Sequence, residues 1–116
     1  MGVAQIALAG ISCLLLLVAA LSKVTEQQSM RDMAAHVAIP WPRYRAIGYL
    51  ELLAVVGIVL GLWWAWIGVA AGTGTVLLLV GAVVVHTRAG DPLPAMVPAL
   101  ATLASAAGYV AVTLAA

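Results

Sequence analysis

The stretch that decides the fold is residues 52–85, LLAVVGIVLGLWWAWIGVAAGTGTVLLLVGAVVV, which contains no charged residue. A membrane-spanning helix needs about 20 mostly apolar residues, so this stretch is too long for one span and suits the inner parts of two. The chain must therefore fold back within it. Tryptophan prefers the membrane–water interface, which places the turn at residues 63–66. We predict an antiparallel hairpin of two helices, at about residues 43–62 and 66–86.

Two pairs of glycines flank this turn with the same spacing. Gly57 and Gly61 precede it, and Gly68 and Gly72 follow it at equal distances from its centre. Antiparallel helices would bring the two pairs to the same depth. Because small residues let helix backbones approach closely in lipid, all four glycines are predicted to pack the hairpin.

Outside the hairpin, the chain has two more apolar segments. Residues 3–22 lack the basic start and cleavage site of a signal peptide, so we expect them to be a retained helix. Residues 93–115 predict a fourth span. Residues 25–38 have apolar side chains at helical spacing among charged ones, which is typical of a helix along the membrane interface. The predicted fold is all-α: one transmembrane domain over residues 1–116, an integral membrane four-helix bundle with an interfacial helix between helices 1 and 2.

Composition agrees with this class of protein. Of the 116 residues, 66% are hydrophobic and 8% are charged, whereas about a quarter are charged in a soluble domain. So few charges cannot cover a water-exposed surface, and the lipid bilayer is the expected partner. A net charge of +1 excludes the broad basic surface that nucleic-acid binding requires. A single cysteine, Cys13, excludes an internal disulfide and a thiolate metal cage.

The five basic residues all lie in two segments at one end of the predicted bundle. Lys23, Arg31, Arg43 and Arg45 lie between helices one and two, and Arg88 lies between helices three and four. Cytoplasmic loops are enriched in lysine and arginine, so we expect both charged loops inside and both termini outside. The Ala-, Val- and Gly-rich composition is typical of a high-GC bacterium, which makes a bacterial inner membrane the expected location.

Glu51 is the one charged residue well inside a predicted span. An ionised carboxylate there costs about 2.5–3.5 kcal/mol on insertion scales, so it needs a partner. Lys23, His86 and Arg88 are the candidate partners at the same end. Tyr44 shares a helix face with Glu51. Two interpretations stay open: a polar ligand pocket with Glu51 and His86 as catalytic candidates, or an ion pair that only joins helices.

The sequence predicts no metal site. His36, His86, Glu51 and Asp91 are the available ligands, but no two lie at ligand spacing on one helix. A phosphate-binding loop, a nucleophile elbow and a haem attachment motif are also missing from the sequence. The sequence therefore encodes no cofactor by a recognisable motif.

Several features together resemble a known family. A lysine ends the first span, a long loop ends in Ile39-Pro40, YLEL at 49–52 lies in the second span, and VVHTRAGD at 84–91 closes the third. In this order and spacing, over nearly the whole chain, the sequence is similar to the DoxX-like family of small four-helix membrane proteins.

The resemblance implies an accessory or quinone- or lipophile-associated subunit of a membrane oxidoreductase-type assembly. The family takes its name from a subunit linked to thiosulfate:quinone oxidoreduction, so a quinone is the candidate cofactor, and another membrane subunit or a second copy is the candidate partner. The alternative is a small intramembrane enzyme or lipophile-binding protein that uses Glu51 and His86 for proton transfer. A small multidrug-type transporter is the least favoured alternative. In such transporters the membrane glutamate lies in the first helix, whereas Glu51 lies in the second predicted span.

Overall fold

The computed structural model describes residues 2–116, which form five α-helices and no β-strand. The helices are α1 (Val3–Val24), α2 (Gln28–His36), α3 (Trp41–Leu60), α4 (Ala65–Arg88) and α5 (Leu93–Ala115). The all-α fold expected from the sequence is confirmed. The boundaries shift slightly: α1 and α4 each end two residues later than expected, α3 begins and ends two residues earlier, and α2 is shorter than the segment expected at 25–38.

The ends of α3 have local causes. Pro42 lies in the first turn of the helix, where the missing N–H group costs least, so α3 can begin at Trp41. At the other end, residues 61–64 turn the chain into α4. Trp63, Trp64 and Trp66 are all more than half exposed around this turn. The charge-free stretch therefore forms a hairpin with a tryptophan-rich tip, named here the tryptophan end of the molecule.

The four long helices pack as a ring. α1 packs against α3, α3 against α4, α4 against α5, and α5 against α1. Within residues 2–116, no Cα atom of α1 lies within 8 Å of one in α4, and the same holds for α3 and α5. The short α2 contacts α1 and α3 at the end opposite the tryptophans, named here the charged end. Leu16, Ile58 and Tyr109 are fully buried inside the ring.

The outer surface and the helix lengths indicate a membrane protein. α1, α4 and α5 are long and apolar enough to cross a membrane. α3 has a similar length, but it carries three charged residues, Arg43, Arg45 and Glu51, and is therefore less apolar than the other three long helices. Large apolar side chains such as Leu53 and Leu77 are about two-thirds exposed. A soluble protein rarely exposes so much continuous apolar surface, whereas lipid solvates it well.

Candidate functional site

Glu51 lies buried between α1 and α3, where it pairs with Lys23. The Lys23 Nζ atom lies 2.9 Å from Glu51 Oε1, and the two side chains are only 11% and 6% exposed. The ring of Tyr44 has its centroid 5.3 Å from the same Nζ atom. The ammonium group thus contacts both a carboxylate and an aromatic face, which compensate for its burial. Lys23, Glu51 and Tyr44 are named the lysine–glutamate site.

Gly48 positions this pair by letting α1 approach α3. A Cβ atom on Gly48 would lie 2.8 Å from Lys23 Cβ and 3.2 Å from the Ala20 carbonyl oxygen. Carbon atoms in contact normally lie about 3.5–4.0 Å apart, so no larger residue fits without movement. The aliphatic part of Lys23 therefore crosses α3 at Gly48, and its ammonium group reaches Glu51 on the next turn.

Asp91 joins two histidines that are far apart in the sequence. Its Oδ2 atom lies 2.5 Å from His86 Nδ1, and its Oδ1 atom contacts His36 Nε2. A carboxylate can only accept, so each imidazole N–H donates. The hydrogen bonds from His86 and from His36 lower the pKa of the Asp91 carboxyl. This histidine–aspartate bridge fastens α2 to the end of α4.

The end of α4 explains how Asp91 reaches His86. Gly90 has a φ of +76°, a left-handed conformation that suits glycine. The Asp91 N–H donates to the His86 carbonyl oxygen at 3.0 Å, and the Gly90 N–H donates to the Thr87 carbonyl oxygen at 3.1 Å. Such bonds close a helix end and reverse the chain direction. Asp91 is thereby brought back beside the His86 ring.

The structure separates several residues that the sequence suggested as partners. Glu51 pairs with Lys23, and His86 with Asp91, so Glu51 and His86 do not form a pair. Arg88 makes no ion pair within residues 2–116. That part of the chain also holds no cluster of three His, Cys, Asp or Glu side chains arranged to bind a metal ion.

At the tryptophan end, glycines make room for Tyr109 of α5. The Tyr109 side chain is fully buried. A Cβ atom on Gly68 would overlap its hydroxyl oxygen, and one on Gly72 would lie 3.2 Å from its ring. Gly61 contacts Gly68 directly, since a Cβ on Gly68 would lie 2.9 Å from Gly61 Cα. These glycines therefore accommodate both the hairpin and the α5 tyrosine, whose role the sequence analysis missed.

The four glycines do not all face one another. Gly57 lies opposite Ala71, because a Cβ on Gly57 would lie 2.5 Å from Ala71 Cβ. Gly72 faces α5 instead, where a Cβ would lie 2.6 Å from Val110 Cγ2. The close backbone contact of the hairpin is thus centred on Gly61 and Gly68, next to the turn.

An apolar groove of about 680 Å³ runs along the outside of the ring between α3 and α4. Small residues such as Ala54, Gly57 and Gly74 line it together with larger ones such as Leu50 and Leu78. The only polar lining residue in this part of the chain is Thr75, and its hydroxyl donates to the Ala71 carbonyl oxygen at 2.9 Å. The lining of this α3–α4 groove is therefore almost entirely apolar, and no residue of the lysine–glutamate site or the histidine–aspartate bridge belongs to it.

Comparison with protein families shows what this chain is similar to. The family model described as the DoxX-like family matches residues 7–109. Comparisons with curated proteins and with solved structures give no match. The matched range contains the lysine–glutamate site, the histidine–aspartate bridge and the α3–α4 groove.

Proposed function

Since the chain belongs to the DoxX-like family of membrane proteins, we propose that it is an accessory subunit of a membrane oxidoreductase-type assembly and holds a lipophile in the α3–α4 groove. The groove is the observation that carries the lipophile site, and the accessory role rests on the resemblance to the family. The groove volume of about 680 Å³ lies within the range of small-molecule sites, about 300–1,000 Å³. It opens toward lipid, from which an apolar ligand would come.

The charged side chains favour an accessory role over proton transfer. A general acid or base must reach its substrate within hydrogen-bond distance. Glu51 and His86 each have a partner of their own, and neither lines the groove. A structural role explains why both residues are there: Glu51 joins α3 to α1 through Lys23, and His86 joins α4 to α2 through Asp91 and His36. The Glu51–His86 proton-transfer alternative therefore has less support than the accessory role.

The lining of the groove favours the hydrocarbon part of a ligand. Quinone carbonyl oxygens need hydrogen-bond donors, and the one lining hydroxyl, on Thr75, already donates to the backbone. A quinone could place its isoprenoid tail in the groove, with its ring outside. The ligand class that follows is an amphiphile whose apolar chain lies between α3 and α4.

For the membrane arrangement, we propose that the four long helices all span a bacterial inner membrane and that α2 lies along its interface. Basic residues at the charged end favour the cytoplasmic side for both charged loops. The exposed side chains of Trp63, Trp64 and Trp66 suit the opposite interface, where indoles are enriched. Both termini then face outward, because α1 begins and α5 ends at the tryptophan end.

Retention of a lipophile during gentle purification tests the proposal. Full-length protein is purified in a mild detergent, and the small molecules extracted from it are identified by mass spectrometry. Wild-type protein should retain an amphiphile with an apolar chain. Gly74→Leu should lose it, because the new side chain fills the groove at a position with free space.

Gly10→Leu is the matched control for this experiment. Gly10 lies on α1, and a Cβ atom there also meets nothing within 4 Å. The control should therefore fold and retain the amphiphile as the wild type does. Recovery of no lipophile from the wild type, or equal retention by Gly74→Leu, contradicts the proposal.

A further inference from the structure

Two arginines at the charged end have no partner within the described chain. Arg43 lies at the start of α3 and Arg88 ends α4, and both side chains are exposed. The remaining lysine and arginine side chains pair with carboxylates: Lys23 with Glu51, and Arg31 and Arg45 with Glu26. Among residues 2–116, no acidic side chain lies within ion-pair distance of either exposed arginine. Their guanidinium groups can therefore bind an anion from outside the chain.

Both arginines continue the rows of residues that line the α3–α4 groove. Residues seven apart on a helix lie on nearly the same face, with a drift of about 20°. Arg43 precedes the lining residue Leu50 by seven positions, and Arg88 follows the lining residue Gly74 by fourteen. Gly81 lies midway between Gly74 and Arg88, and a Cβ atom there would meet nothing within 4 Å. The groove face is thus open toward the arginines.

The distances suit a lipid whose headgroup lies just beyond the groove. α3 and α4 are joined by a short turn and run antiparallel, so Arg43 and Arg88 lie at the same end of the pair. At 1.5 Å per residue, Arg43 lies about 10 Å beyond Leu50 and Arg88 about 15 Å beyond Leu78. A chain in the groove would therefore lead to a headgroup near both guanidinium groups.

We propose that the groove and the two arginines together bind an anionic phospholipid of the bilayer. One acyl chain lies in the α3–α4 groove, and the phosphate lies between Arg43 and Arg88. This inference rests on the proposed lipophile site and names its occupant. The charge pattern selects the lipid class: guanidinium groups bind phosphate through paired hydrogen bonds, whereas a quinone has no charge to match them.

Lipid titration tests the headgroup. Full-length protein in detergent micelles is titrated with phosphatidylglycerol or phosphatidylcholine of the same acyl chains, and bound lipid is counted by native mass spectrometry. An arginine near an anionic membrane surface strengthens binding about fivefold. Two arginines therefore predict about 30-fold tighter binding of phosphatidylglycerol than of phosphatidylcholine.

Arginine variants test whether Arg43 and Arg88 cause the preference for phosphatidylglycerol. Arg43→Gln and Arg88→Gln should each weaken phosphatidylglycerol binding about fivefold, and the double variant should bind both lipids alike. Arg31→Gln removes one charge from the same end of the molecule, but Arg31 already pairs with Glu26 at 2.6 Å. That control should keep the preference. Both arginines of the site are exposed, so folding, checked by circular dichroism, should be unaffected.

The outcomes separate this inference from the proposed function. Equal binding of the two lipids by wild-type protein, or an unchanged preference in the double variant, overturns the phospholipid site. If Gly74→Leu still abolishes lipophile retention in that case, the proposed function stands with a different occupant. If Gly74→Leu also has no effect on retention, both proposals fail.

Discussion

The charged end and the tryptophan end of the molecule are held together by different interactions. At the charged end, Glu51 pairs with Lys23, and Asp91 links two histidines. At the tryptophan end, Gly61 and Gly68 touch, and Tyr109 fills the space beside them. The first arrangement depends on complementary charge, and the second on complementary shape. We therefore expect the charged end to be sensitive to the loss of one charge, and the tryptophan end to the addition of one methyl group.

The largest effect should come from breaking the lysine–glutamate site. Glu51→Ala leaves the Lys23 ammonium buried without its carboxylate, and removing one partner of a buried ion pair costs about 3–5 kcal/mol. The free energy of unfolding, measured by SDS titration of detergent-solubilised protein, should fall by that amount.

The double variant Lys23→Met/Glu51→Met tests whether the instability comes from an unpaired buried charge or from the loss of the two residues themselves. Replacing a whole buried ion pair with apolar side chains is often neutral or stabilising. The double variant should therefore be close to the wild type in stability. A double variant as unstable as Glu51→Ala would show that the two residues do more than compensate each other.

A smaller effect should come from adding a methyl group at the tryptophan end. In Gly68→Ala the new Cβ would overlap the Tyr109 hydroxyl, and overpacking of this kind costs about 1–3 kcal/mol. Gly74→Ala on the same helix is the control, because its Cβ meets open space. Adding Tyr109→Phe to Gly68→Ala should restore part of the loss. Equal stability of the two alanine variants would contradict the shape argument.

The smallest effect should come from the histidine–aspartate bridge, because it fastens only the short α2. The hydrogen bonds from His86 and His36 lower the Asp91 pKa, so the stabilisation is present above the usual aspartate pKa, about 3.9. It is lost as the pH falls through the lowered value. Asp91→Asn should lower the melting temperature at pH 7, and the difference from wild type should shrink below about pH 4.

The glycine variant provides the comparison for this pH experiment. The loss of melting temperature in Gly68→Ala arises from overlap of uncharged atoms. It should therefore be the same at pH 7 and below about pH 4. A deficit of Asp91→Asn that does not change with pH would mean that the carboxylate charge is not what holds α2.

The hairpin could be predicted because its signals are local. The length of the charge-free stretch requires two helices, and the tryptophans mark the turn at 61–64 within a few residues. The partner of Glu51, in contrast, could not be predicted from the sequence. Lys23, His86 and Arg88 all lie at the right end, and the contact between α1 and α3 at Gly48 decides among them. That contact depends on packing, which sequence spacing does not specify.

The histidine–aspartate bridge could not be predicted, since it depends on the path of the loops around α2. Glu26 and Ala38, on either side of this helix, have φ values of 56° and 58°. Residues other than glycine rarely adopt this left-handed conformation, and nothing in the sequence marks them for it. The His36–Asp91 contact joins positions 55 residues apart. A lone tyrosine in an apolar helix, such as Tyr109, likewise gives no sign of the glycines that it packs against.

The position of the α3–α4 groove outside the helix ring has a kinetic consequence. Its rim residues Leu53 and Leu77 are about two-thirds exposed, so a lipophile bound there, as proposed above, would enter sideways from the surrounding hydrocarbon. Binding and release then need no separation of the helices. The residence time of the proposed lipophile would then be set by its own contacts with the groove and not by the opening of a lid. On this proposal, the protein would stay closely packed while lipophiles exchanged between the groove and the bilayer.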